Sequence, residues 1–209
     1  MRSDLINNNL AMDNKTQTIT TYNDRAQSWA DKFDSSGTRV SDINETFALI
    51  QKDSPRVLEI GCGNGRDAQE ILKHTYNYLG VDASEKLVEL AKQKVPNGQF
   101  LVADIEEYTL PTELDLVFAF ASLIHIPKQS LQKIFHTILA SLNKGGAFRL
   151  SVKYAEEYME STKTDEFGTR TFYLYSDDDI KEMAQGFTIV KNKIVGLKGK
   201  KWLEVLMQK

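Results

Sequence analysis

Three glycines, Gly61, Gly63 and Gly65, alternate directly after the apolar run Val57–Ile60, in the stretch VLEIGCGNGRDA. Glycine loses more backbone freedom on folding than any other residue, so a cluster of it marks a left-handed turn or a close approach. Between a buried strand and the helix after it, such a turn offers backbone N–H groups to a ligand near the helix N-terminus. Asp82 closes the next apolar segment, in GVDAS, and follows Gly61 by 21 residues. A carboxylate at that distance accepts hydrogen bonds from a ribose diol. The competing role for Asp82, capping the following helix, leaves the glycines unexplained. Together these residues point to a nucleoside-bearing cofactor.

The spacing narrows the choice of nucleoside. Dinucleotide sites carry G-x-G-x-x-G, whose last glycine permits close helix packing. Here the pattern is G-x-G-x-G, and Arg66 stands where that last glycine belongs. Glu59 precedes the loop, where a carboxylate would repel a pyrophosphate and suits an ammonium or sulfonium charge. His125, in SLIHIP, is the candidate general base. The competing role for its ring is to shape the pocket. His74 and His136 fall within helical patterns. Cys62, inside the glycine loop, reads as a small residue where space is short rather than a reactive thiol. No His, Cys or carboxylate cluster has metal-ligand spacing, so no metal is assigned.

The elements that must position these groups alternate along the chain. Periodicity predicts helices over 21–33 and 39–52, the second with Val40, Ile43, Phe47 and Ile50 on one face. Then come a short strand RVLEI, a helix RDAQEILKH, a strand YNYLGV and a helix SEKLVELAKQKV with Ser84 as its cap. Strands QFLVA and LDLVFAF follow, then the amphipathic helix KQSLQKIFHTILASL and the strand AFRLSV. Strands of five or six residues separated by helices are the pattern of βαβ units and a parallel sheet. The end breaks that rhythm: a helix SDDDIKEMAQ precedes strands FTIVKNKIV and KWLEVLMQ around GLKGK, which predicts an antiparallel hairpin on the sheet edge. The expected fold is an α/β doubly wound, seven-stranded, mostly parallel sheet ending in that hairpin.

Composition sets the bounds. The 209 residues fit a single domain, predicted over 19–209 behind a polar tail at 1–18. A net charge of −3 gives no basic field, so a nucleic-acid partner is disfavoured. No apolar run approaches the roughly 20 residues of a membrane span. The N-terminus lacks the apolar core of a signal peptide. The single cysteine has no partner for an internal disulfide, so the expected location is a reducing cytoplasm.

As a set, LEIGCGNGRDA, GVDAS, ADIEEY, LDLVFAFASLIHIP and LNKGGAFRLSV resemble the ordered motifs of class I S-adenosylmethionine-dependent methyltransferases, from about Arg56 to Val152. The resemblance implies a Rossmann-like fold with S-adenosyl-L-methionine as cofactor. It implies that Gly61, Gly63 and Gly65 pass under the methionine part, with Glu59 near its amino group. Asp82 would take the ribose hydroxyls, with Ala83 and Ser84 flanking the adenine. Asp104 and Ile105 would read the adenine amino group and cover the ring, and Ala119 and Phe120 would border the methionyl arm. The segment YNDRAQSWA resembles the family's cofactor-covering helix, which makes 19–53 a helical lid with Tyr22 closing over the ligand. Plain helix packing is the alternative for Tyr22.

The acceptor is less visible. Members that methylate amino groups of nucleobases or glutamine carry an Asn/Asp-Pro-Pro-aromatic motif after the fourth strand, where this chain has FAFAS. The segment 154–175 carries Tyr154, Tyr158, Phe167, Phe172, Tyr173 and Tyr175 and is too long for a plain connection. It is expected to cover the acceptor, with packing on the sheet edge as the other role for its aromatics. No basic, aromatic-interleaved groove is evident, which favours a small-molecule acceptor. The expected function is methyl transfer to that molecule by in-line displacement. The alternatives are a non-catalytic S-adenosylmethionine-binding protein or partner subunit and, less favoured, a nicotinamide-dependent oxidoreductase.

Overall fold

The computed structural model describes residues 13–197 and 199–209. Its main sheet is built from β1 (Val57–Ile60), β2 (Tyr78–Asp82), β3 (Gln99–Val102), β4 (Leu114–Phe120), β5 (Leu142–Lys153), β8 (Thr188–Leu197) and β9 (Lys200–Gln208). The order across the sheet is β3-β2-β1-β4-β5-β9-β8. The first five strands are parallel, and β9 and β8 join antiparallel. The expected doubly wound sheet and terminal hairpin are both present. Strand order reverses between β1 and β4, so the loops after these two strands open a crevice at the carboxyl edge.

Alternation along buried strands divides the core into two layers. In β4, Val117 and Ala119 join a layer with Phe135 and Ile138 of α6 (Lys128–Ser141) and Ile180 of α7 (Asp177–Met183). Leu116, Phe118 and Phe120 face the other way, toward Ile43 of α3 (Val40–Phe47), Ile71 of α4 (Ala68–Ile71) and Val88 and Ala91 of α5 (Glu85–Lys94). Ser84 caps α5, accepting from the Leu87 N–H at 3.2 Å.

The N-terminal region departs from expectation. The single helix read over 21–33 is two, α1 (Asn14–Asp24) and α2 (Ala26–Ser35). Thus 14–18 is helical rather than tail; residues 1–12 of that reading lie outside the described residues. Asp13 starts α1 by accepting from the Thr16 N–H at 2.9 Å. The helix anchors through threonines: Thr21 Oγ1 donates to the Thr169 carbonyl at 2.7 Å, and Thr18 Oγ1 accepts from the Thr171 N–H at 3.2 Å. Such contacts leave no apolar stripe to read. Helices α3 and α4 are also shorter than expected, and Val40 is exposed rather than on the buried face.

The segment 154–175 holds a second sheet, the hairpin β6 (Met159–Asp165) and β7 (Gly168–Leu174). Its β7 strand carries the partners of α1. Phe172, Tyr173 and Tyr175 pack into the α6 layer, and Phe167 packs beside Trp29. Sheet-edge packing therefore describes these aromatics better than an open pocket wall.

Candidate active site

A cavity of about 210 Å³ opens at the crevice between β1 and β4. The glycine loop forms its floor. All three glycines have positive φ: 72° at Gly61, 54° at Gly63 and 75° at Gly65. At Gly61 the need is also steric, since an added Cβ would sit 2.0 Å from Ser122 Cβ. Gly63 N–H donates to Asp82 Oδ2 at 2.9 Å, and Ser84 N–H donates to Asp82 Oδ1 at 2.8 Å. Asp82 is thus clamped by the loop before it and the helix start beyond it. Ser84, not Asp82, caps the helix. Each carboxylate oxygen keeps lone-pair capacity for a further donor.

Glu59 shares its face of β1 with Val57, and the two meet Tyr78 below the loop. The Tyr78 hydroxyl donates to Glu59 Oε2 at 2.5 Å. Burial pushes the Glu59 carboxyl up to about 8, and the nearby Asp67 carboxylate adds to the rise. Burial also raises the Cys62 thiol, which therefore stays protonated.

Eleven of the thirteen site residues expected from the sequence line this cavity together: Tyr22, Glu59, Gly61, Gly63, Asp82, Ala83, Ser84, Asp104, Ile105, Phe120 and His125. Two do not. Gly65 turns into the core, where its Cβ would meet Ala91 and Val95 at 3.3 Å, so it serves helix packing. Ala119 points into the α6 layer, because strand alternation sends it away from the face Phe120 shares.

Several lining residues escaped the sequence reading. Lys15, on α1, pairs with Asp104 at 2.7 Å. Arg39 lies over the Phe120 ring, 5.0 Å from its centroid. Ala121 holds φ 54°, a region costly for a residue with a Cβ. Its N–H donates to Ser151 Oγ at 3.0 Å. The only sequence signal for these residues was proximity to the ends of β4 and to the lid.

Tyr22 and His125 meet across the cavity wall. The Thr171 carbonyl, 2.5 Å from His125 Nδ1, can only accept, so Nδ1 carries the proton. In the neutral ring Nε2 is then the acceptor, and the Tyr22 hydroxyl lies 2.9 Å from it. Burial lowers His125 to about 4; the Lys153 and Arg170 charges add to the lowering, while the Thr171 bond opposes it. The ring is therefore neutral near pH 7, with its lone pair engaged by Tyr22.

Residues 57–146 match the sequence profile of a family described as a methyltransferase domain. That stretch takes in the glycine loop, Asp82 and the strands β1 to β4. Among relatives of this chain, malonyl-[acyl-carrier protein] O-methyltransferase 1 of Ilyobacter polytropus is 33% identical over 126 residues, 58% of this chain and 46% of that protein. Trans-aconitate 2-methyltransferase of Acidovorax sp. is 29% identical over 124 residues, 58% of this chain and 46% of that protein. The chain spans about half the length of the curated relatives it matches. A solved structure of a DhpI–SAM–HEP complex superposes with a TM-score of 0.69 at 18% identity, covering 91% of this chain and 95% of that chain. At that identity the likeness is one of fold. Among the described residues, no helix is long and apolar enough to cross a membrane.

Proposed function

We propose that this chain transfers the methyl group of S-adenosyl-L-methionine to a small-molecule acceptor by in-line displacement. The observation that carries the reading is Asp82, a carboxylate fixed by two backbone N–H groups at the mouth of a glycine loop, facing the cavity. When bound, the cofactor supplies a methyl group already activated on a sulfonium. Asp82 would accept from the ribose hydroxyls. Glu59, raised by burial while alone, would ionise against the ammonium of the methionine part. Asp104 and Ile105 would meet the adenine, with Ala83 and Ser84 at its edge, and Phe120 would border the methionyl arm. The donor set fits such a ligand: carboxylates where hydroxyls and an ammonium belong, and apolar surface between them.

Since the methyl donor is already activated, alignment of the acceptor supplies most of the catalysis. His125 fits that role better than proton abstraction, because burial depresses its proton affinity and the Tyr22 hydroxyl engages its Nε2. It positions the lid. Calorimetric titration against S-adenosylmethionine, S-adenosylhomocysteine and NAD tests the cofactor, and a labelled methyl donor offered with candidate acceptors tests the transfer. Binding of NAD in preference to both sulfur compounds would overturn the reading.

A further inference from the structure

Behind the Tyr22–His125 pair, the fold gathers positive charge and N–H donors without enough acceptors to satisfy them. Tyr22 packs on Trp29 of α2 with ring centroids 4.9 Å apart, and His125 packs on Phe172 of β7 at 4.8 Å. The Arg170 guanidinium lies 4.4 Å from the Trp29 ring and 5.5 Å from Phe172. From the end of β5, Lys153 Nζ stands 3.2 Å from the centroid of the same Phe172 ring. Two cations thus converge on one aromatic ring, which packs on His125 of the cavity wall.

Their partners are incomplete. Trp29 and Arg170 are 4% and 3% exposed, and the Trp29 Nε1 and Arg170 Nε donors have no acceptor among the described residues. Leaving such donors buried and unpaired costs stability that a bound acceptor would restore. Asp165 takes one Arg170 nitrogen at 2.6 Å and also pairs with Lys163 at 2.9 Å, so its charge is already shared. Lys153 has no carboxylate partner among the described residues. Burial lowers its ammonium to about 7, with Lys200, Arg170 and Lys163 adding repulsion.

We propose that the methyl acceptor carries a carboxylate, seated on the free N–H donors of Trp29 and Arg170 with Lys153 supplying the countercharge. This rests on the methyl-transfer reading and names its substrate class. Two single N–H donors on adjacent side chains match the two oxygens of a carboxylate, and a charge-assisted pair to Arg170 is the stronger kind of bond. Entry follows the lifting of α1, whose hold on β7 is a small set of hydrogen bonds.

The test uses the full chain saturated with S-adenosylhomocysteine and titrated with trans-aconitate, malonate, the neutral trimethyl ester of trans-aconitate, and inorganic phosphate. At least one acid is expected to bind about tenfold or more tighter than the ester and than phosphate. Lys153→Met should weaken that acid about tenfold and leave S-adenosylhomocysteine affinity unchanged. In a Trp202→Phe background, the remaining indole N–H resonance belongs to Trp29 and should move on addition of the acid. Equal binding of ester and acid, tighter binding of phosphate, full affinity in Lys153→Met, an unmoved Trp29 resonance, or no binding of either acid would overturn the proposal. Failure of S-adenosylhomocysteine to bind would strike the methyl-transfer reading instead, and the acids titrated alone would still read the anion seat.

Discussion

The two walls of the cavity are built in different ways. The wall at β1 and β2 is mainly backbone: a left-handed glycine loop, with Asp82 held by main-chain N–H groups on either side. The opposite wall is side chains borrowed from distant segments: Tyr22 from α1, His125 after β4, and the Thr171 carbonyl from β7. A backbone site is fixed once the strands pair. A wall of borrowed side chains can open, because each of its bonds is a net term of about 1 kcal/mol. A wall fixed by backbone and a wall held by a few side-chain bonds then face each other across one cavity.

The largest effect should come from breaking the rigid wall. Gly63→Val puts a branched side chain at φ 54°, with its Cβ 3.3 Å from the Phe33 ring. Cofactor binding by calorimetry should disappear while circular dichroism remains that of a folded chain. Asp82→Ala should cost roughly 1.5–3 kcal/mol of cofactor affinity, about tenfold to 150-fold. Unchanged affinity in the folded variant would remove Asp82 from the site.

The next effect is one of pH. Glu59 is protonated when alone below about 8 and must ionise to meet an ammonium. Cofactor affinity should therefore rise as pH climbs toward 8, by up to about tenfold per unit, and then level off. Calorimetry in buffers of different ionisation heat should record about one proton released per ligand at pH 7. A flat profile would mean that Glu59 does not meet a cation. For the ligand-free chain the sign is opposite. A carboxyl raised by folding stabilises most below its ordinary 4.5 and loses that contribution as pH rises through about 8.

The smallest effects belong to the cover. Tyr22→Phe should lower stability by about 1 kcal/mol and speed amide exchange in α1, leaving Asp82 and its loop protected. His125→Gln should keep turnover within a few-fold, with a pH curve parallel to that of the parent. A loss of about 10²–10⁴ that fades as the acceptor ionises would instead make His125 the general base and erase the contrast between the walls.

The same contrast explains what could be read in advance. Gly61, Gly63 and Asp82 were legible because a left-handed turn demands glycine and a carboxylate at a strand end has few other uses. The five parallel strands were legible through their continuous apolar runs. Helix α1 was not: Thr18 and Thr21 hold it by hydroxyl bonds that have no period in the sequence. The strand β6, MESTKTD, is almost wholly exposed and polar, so its pairing with β7 left no apolar alternation to find. Gly65 and Ala119 were misplaced for a related reason. Motif position locates the turn and the strand end, whereas the cavity is lined only by the atoms that face it, and these two face the core.

The distance between α1 and its anchor also sets an order of events during synthesis. Thr21 bonds to Thr169, 148 residues further along the chain. At roughly 5–20 residues per second, the ribosome completes the glycine loop and the strands around it on the order of ten seconds before β7 emerges. Throughout that interval α1 lacks its β7 partners and can be held only by its contacts to earlier segments, such as Lys15 to Asp104 and Tyr22 to His125. The glycine loop and its strands are therefore complete before the bonds that fix α1 to β7 can form.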